Sequence, residues 1–185
     1  MKRALPLLFL AAVLASACAK RAAPSDQACA CEGAPVVDAT LLAWLSKARA
    51  LHHEADAAEA DGSPAKAISA LERISTGPSP AGPEASEIIA DTRARLAELR
   101  AGTGDFDRAA DDVKQGLEHA REATYFRGHL FEVLGLVEEK RATALEKRGD
   151  SAGAKAARQR AVEASEQAVK LQDEVIQRAL GKDKR

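Results

Sequence analysis

The side chains best suited to metal binding or acid–base chemistry lie in one short stretch, at His52, His53, Glu54 and Asp56. Adjacent residues of a helix point about 100° apart, so His52 and His53 cannot chelate one ion together. His52 and Asp56, four residues apart, could bind a metal weakly, but a solvated pair is the simpler interpretation. The sequence contains no His-Glu-x-x-His, Gly-x-Ser-x-Gly or phosphate-loop motif. We therefore predict no enzymatic activity, no metal site and no bound cofactor.

The first 18 residues have the layout of an export signal. Lys2 and Arg3 precede an apolar run of 14 residues, and small residues stand before Cys18. A bilayer-spanning helix needs roughly 20 residues, so this run is too short to be one. The segment from Leu14 to Cys18 (Leu-Ala-Ser-Ala-Cys) resembles the lipobox of bacterial lipoproteins. The resemblance implies cleavage before Cys18, a diacylglyceryl thioether on its sulfur and acylation of the new amine.

The same resemblance implies an address in the cell envelope. Ala19, rather than Asp, follows the cysteine, and in Gram-negative lipoproteins this favours the outer membrane, with the domain facing the periplasm. Ala15-x-Ala17 also fits an ordinary secretory cleavage site, and this alternative leaves a soluble periplasmic protein. On either interpretation, residues 1–17 are a signal peptide.

Residues 18–36 show no apolar periodicity and contain several helix breakers, which predicts a flexible tether. Cys29 and Cys31 lie within it. In an oxidising compartment they could form a strained, labile disulfide, cross-link two copies or act transiently in redox chemistry. The alternative is a cysteine pair without structural importance.

Composition indicates an all-α protein. The chain has 42 alanines among 185 residues and only 3% aromatic residues, and alanine favours helices over strands. Loss of Lys2 and Arg3 with the leader leaves 25 basic and 28 acidic residues. This balance argues against nucleic acid as a partner.

Helical periodicity starts at Val37 and predicts six helices, paired as three antiparallel hairpins, over residues 37–181. Asp38 or Thr40 is expected to cap the first helix. The third is predicted over 84–101 and the last, about 40 Å long, over 153–180. Residues 182–185 form a basic tail.

Three turns share one arrangement of small residues. Gly62, Gly104 and Gly149 are each followed five residues later by an alanine, preceded seven residues earlier by an alanine, and followed twelve residues later by Ile74, Gly116 or Ala161. This arrangement over residues 48–163 resembles the tetratricopeptide repeat (TPR). The resemblance implies a short right-handed array of three hairpins ending in a long helix. A plain alanine-rich bundle is the alternative.

The chain departs from the repeat family in two ways. Its turn glycines are 42 and 45 residues apart, against the family's 34, and Glu54, Arg93 and Arg141 stand where the family has large residues.

The resemblance also implies a groove lined by the first helix of each pair. The groove positions, counted back from each turn glycine, are Arg49, His52, Asp56 and Glu59; Asp91, Ala94, Glu98 and Ala101; and Leu136, Glu139, Thr143 and Glu146. Because half of them are carboxylates, we expect an acidic groove that binds a basic or extended segment of another envelope protein. The alternative is a solvated helix face.

The sequence thus predicts a membrane-anchored envelope lipoprotein that acts as a protein–protein adaptor, with the outer membrane or a secretion complex as its setting. The second hypothesis is a structural lipoprotein that self-associates through its last hairpin. The oligomeric state is left open.

Overall fold

The chain is described here by a computed structural model over residues 38–181; the leader, Cys18, Cys29, Cys31 and residues 182–185 lie outside this range. Within it the chain forms helices and no strand, which confirms the all-α prediction. The helices are α1 (Ala39–Ala60), α2 (Pro64–Ser75), α3 (Pro83–Thr103), α4 (Phe106–His119), α5 (Tyr125–Lys147) and α6 (Ser151–Ala179). The third and last predicted helices are each found within two residues of their expected ends.

Most helix starts are fixed by side chains that accept otherwise unpaired backbone N–H groups. Asp38, not Thr40, caps α1: its carboxylate accepts from the Thr40 N–H at 2.8 Å and from the Leu41 N–H at 3.3 Å. Asp105, Thr124 and Asp150 cap α4, α5 and α6 in the same way. Each of the two remaining helices begins with a proline, whose missing N–H has no cost at that position.

The three predicted turn glycines all adopt a left-handed backbone. Their φ angles are 68° at Gly62, 87° at Gly104 and 83° at Gly149. Residues with a Cβ are strained in this region, which explains why the turns that end α1, α3 and α5 contain glycine.

Two clusters of buried apolar side chains form most of the core. The first joins α1 and α2 to α3, around Leu51, Leu71 and Ile89. The second joins α3, α4 and α5, around Val113 and Leu130. The last helix instead buries an alanine seam, which consists of Ala154, Ala157, Ala161, Ala164 and Ala168.

The packing order follows the chain. The most extensive contacts join α5 to α6, α3 to α4 and α1 to α2. Successive pairs also meet, because α2 contacts α3, α4 contacts α5, and α3 packs along α5. Helix α5 therefore lies on a surface formed jointly by α3 and α4.

Candidate functional site

Three predicted groove residues of α1 meet a single arginine on α3. Arg95 Nη2 lies 2.5 Å from Asp56 Oδ1 and also forms an ion pair with Glu59. Burial alone would lower the pKa of Arg95, but its hydrogen bonds to Glu59 and Asp56 outweigh that effect and raise it. Arg95 therefore balances one of the two negative charges expected at this end of the groove. Arg49, the fourth predicted residue of α1, is exposed.

His52 lies beside the same arginine and also contacts Thr92. Its Nε2 is 3.1 Å from Thr92 Oγ1, and Thr92 itself donates to the Ile88 carbonyl at 2.7 Å. Since the Thr92 hydroxyl proton is used in that bond, His52 Nε2 is the donor and Nδ1 can accept from Arg95. Burial, followed by the Arg95 charge, lowers the pKa of His52, which favours this neutral form. His52 thus contacts Thr92 and Arg95, and Asp56 contacts Arg95.

Three other predicted groove residues line one cavity. Glu98 of α3 and Leu136 and Glu139 of α5 border a space of about 930 Å³ whose opposite wall is α6. Apolar contacts come from Val133, Leu136, Val162 and Val169. Its carboxylates are Glu98, Glu132, Glu139, Glu166 and Asp173, and among its described residues the basic member is Lys170. The cavity therefore combines an apolar surface with a strongly acidic border.

The remaining predicted positions do not contribute to this cavity. Ala94 and Ala101 lie in the second core cluster with 0% and 3% exposure, so the prediction that they line a groove is wrong. Asp91 is half-buried, Glu146 pairs with Arg158 of α6, and Thr143 donates to the Glu139 carbonyl at 3.1 Å. The acidic surface is thus displaced toward α5 and α6, compared with the groove along α1, α3 and α5 that the sequence predicts.

A buried charge network joins α2, α3 and α4, and the sequence did not predict it. Asp112 of α4 is fully buried and accepts from Arg93 Nη1 at 2.7 Å. Arg100 donates to the second oxygen of Asp112 and also to Glu72 of α2. These ion pairs fix the order of three helices rather than forming an exposed site.

The charged residues Glu54, Arg93 and Arg141, at positions where the repeat family has large residues, were the signal that could have revealed such contacts. Each forms an ion pair between helices: Glu54 with Arg73 at 3.0 Å, Arg93 with Asp112, and Arg141 with Asp107 at 2.8 Å. Arg141 also donates to the Phe106 carbonyl at 2.8 Å. Charged residues at positions where large apolar ones are expected therefore mark polar contacts between neighbouring helices.

Two further features of residues 38–181 bear on function. Within this range, no three His, Cys, Asp or Glu side chains come close enough together to bind a metal ion. None of the six helices combines the length and the hydropathy that crossing a membrane requires.

Comparison with protein-family models, with curated proteins and with solved structures finds no match to this chain.

Proposed function

We propose that this protein is a cell-envelope lipoprotein whose helical domain acts as an adaptor for other envelope proteins. Cys18 carries the lipid anchor, and residues 18–36 tether the domain to the outer membrane on the periplasmic side. The leader and the lipobox-like segment from Leu14 to Cys18 support this address. Two or more acyl chains make such an anchor stable, since each buried methylene contributes roughly 0.8 kcal/mol.

The packing of the small residues supports a TPR-like array. The alanines five residues after the turn glycines are Ala67, Ala109 and Ala154, and each is at most 1% exposed. The alanines seven residues before them are Ala55, Ala97 and Ala142, and all are fully buried. Equivalent positions of the three hairpins thus have equivalent environments, as expected of a repeated unit. A plain bundle would require no such agreement.

The observation that carries the adaptor function is the acidic, apolar cavity beside Glu98, Leu136 and Glu139. It has the chemistry of a binding surface for a protein segment that combines apolar and basic side chains. Desolvated apolar contact supplies most of the affinity in such interfaces, and complementary charge mainly accelerates encounter and selects the partner.

Self-association of a structural lipoprotein is the second candidate, and one observation favours it. Val162, Val169 and Ile176 of α6 are at least half exposed. The charges oppose it, because a two-fold pairing centred on Val169 brings Glu166 of one copy near Asp173 of the other. Such like-charge contacts weaken association.

Charge reversal at the cavity tests the adaptor function. We expect Glu98→Lys with Glu139→Lys to abolish capture of the native partner from solubilised envelopes, because a basic segment would then meet basic side chains. The matched control is Asp111→Lys with Glu163→Lys, which reverses two exposed carboxylates that do not line the cavity. Quantitative mass spectrometry of the captured proteins gives the result. Equal capture by the unmodified chain, the cavity variant and the control variant would contradict the proposal.

A further inference from the structure

The exposed face of α6 carries apolar residues at regular spacing. Val162, Val169 and Ile176 follow one another every seven residues, with exposures of 57%, 62% and 50%. At 1.5 Å per residue the stripe is about 21 Å long. Leu136 of α5, 40% exposed, lies in the same cavity as the two valines. Seven residues are close to two helical turns, so these side chains lie on one face of α6.

The α3–α4 surface occupies the equivalent place in the preceding hairpin, and a helix covers it. Helix α5 lies on α3 and α4, where Leu117 packs against the second core cluster and Ala94 and Ala101 belong to it. Counted from the turn glycines, Val162 of α6 corresponds to Leu117, and Glu139 and Glu146 of α5 correspond to Ala94 and Ala101. In the part of the chain that the structure describes, no helix follows α6. The α5–α6 surface therefore has the form of a helix-binding surface that no helix of residues 38–181 covers.

Polar residues limit how far this surface extends. The residue of α6 that corresponds to the buried Val113 is Arg158, which is exposed and pairs with Glu146. A helix bound here would therefore lie along α6 between Val162 and Ile176.

We propose that the α5–α6 surface binds an amphipathic helix of another protein, with apolar residues on the face toward α6 and Lys or Arg residues beside that face. This inference rests on the proposed adaptor function and names the form of the bound segment. The basic residues complement Glu132, Glu139, Glu166 and Asp173, which border the cavity.

A helix fits this surface better than an extended segment. The backbone N–H and C=O groups of α5 and α6 are used within their own helices, so they cannot pair with those of an extended peptide. A bound helix satisfies its own backbone and needs only side-chain contacts, which the regularly spaced valines provide. A second copy of this chain is disfavoured because it would bring the acidic borders of both copies together.

Three synthetic peptides of about 21 residues test the inference, each long enough to cover the stripe. The first has leucines at heptad spacing flanked by lysines, the second has glutamates in place of the lysines, and the third is the first with two central prolines. The full chain is held in phosphatidylcholine nanodiscs, binding is read from fluorescence anisotropy, and empty nanodiscs give the background. We expect the first peptide to bind about tenfold or more tightly than either of the others.

Substitutions on the protein locate the contact. Val162→Gln with Val169→Gln is expected to weaken binding of the lysine peptide by about tenfold, because the apolar stripe is lost. Both side chains are more than half exposed, so the fold should survive, and circular dichroism checks this. Leu42→Gln on α1 is the control, since Leu42 is 52% exposed and lies outside the cavity. It should leave binding unchanged.

Several results would overturn the inference. These are binding of none of the peptides, equal binding of the proline or glutamate peptide, and full binding by the double glutamine variant. Sedimentation that shows dimers lost in that variant would assign the surface to a second copy. If the double glutamine variant still captures the native partner while Glu98→Lys with Glu139→Lys does not, the adaptor function stands and the helix inference fails.

Discussion

Asp112 lies at the centre of the ion-pair network that joins α2, α3 and α4. Its carboxylate is fully buried and lies between Arg93 and Arg100, which are themselves 9% exposed. A buried ion pair is not a strong stabilising element compared with apolar packing, but removal of one member leaves the others buried without their counter-charge. The cost of that loss is large.

Asp112→Asn is therefore expected to lower the free energy of unfolding by about 3 kcal/mol, because the amide keeps the volume and loses the charge. Asp111→Asn, at the exposed neighbouring position on the same helix, should change it by less than about 0.5 kcal/mol. Urea unfolding followed by circular dichroism measures both values. Equal stability of the two variants would show that the network contributes little.

Local residue types predicted the turns and the small residues of the core, but not the charge contacts. Gly62, Gly104 and Gly149 were recognisable because glycine at a helix end has a local conformational reason. Arg95 and its partners Asp56 and Glu59 are 36 to 39 residues apart. Such pairs depend on how α1 lies against α3, and the sequence pattern of either helix does not encode that.

At the scale of helices, close packing depends on positions where only glycine fits. A Cβ added at Gly116 of α4 would lie 2.6 Å from Leu130 Cδ2 and 3.1 Å from the Cβ of Arg93. Both neighbours belong to the helices between which α4 packs, so the crowding cannot be relieved at the surface. At Gly102 of α3, by contrast, a Cβ would meet nothing within 4 Å.

These two glycines provide a matched pair of substitutions. Gly116→Ala is expected to destabilise the protein by about 2 kcal/mol through overpacking, despite the better helix propensity of alanine. Gly102→Ala should stabilise it by about 0.5 kcal/mol, because it restricts the unfolded chain without a clash. Denaturant midpoints of the two variants measure the difference. A stabilising effect at both positions would mean that α4 is not packed as closely as described.

Helix number and approximate bounds followed from periodicity, prolines and caps, since each is a local signal. The exposed apolar face of α6 did not follow from such local signals. Its alanine seam predicted one buried face, whereas its exposed stripe at Val162, Val169 and Ile176 is recognisable only once α5 is seen beside it. The acidic surface lies nearer to α5 and α6 than the sequence predicts for a similar reason, because Arg95 projects from α3 toward the carboxylates of α1.

At the scale of the whole molecule, the proposed function joins two separate parts of the chain. In this proposal, the cavity at α5 and α6 is the surface for a partner, and the lipobox-like segment sets the position of the domain in the cell. An adaptor needs both, since anchoring raises the local concentration of the domain around envelope partners.

Mass spectrometry of the N-terminal peptide, taken from the chain isolated from bacterial membranes, tests this position most directly. The proposal predicts that the first residue is Cys18, with a diacylglyceryl thioether on its sulfur and an acyl chain on its amine. A parallel Cys18→Ala chain should lack these masses. A chain that retains Met1 and the apolar leader, with Cys18 unmodified, would contradict the proposed lipoprotein.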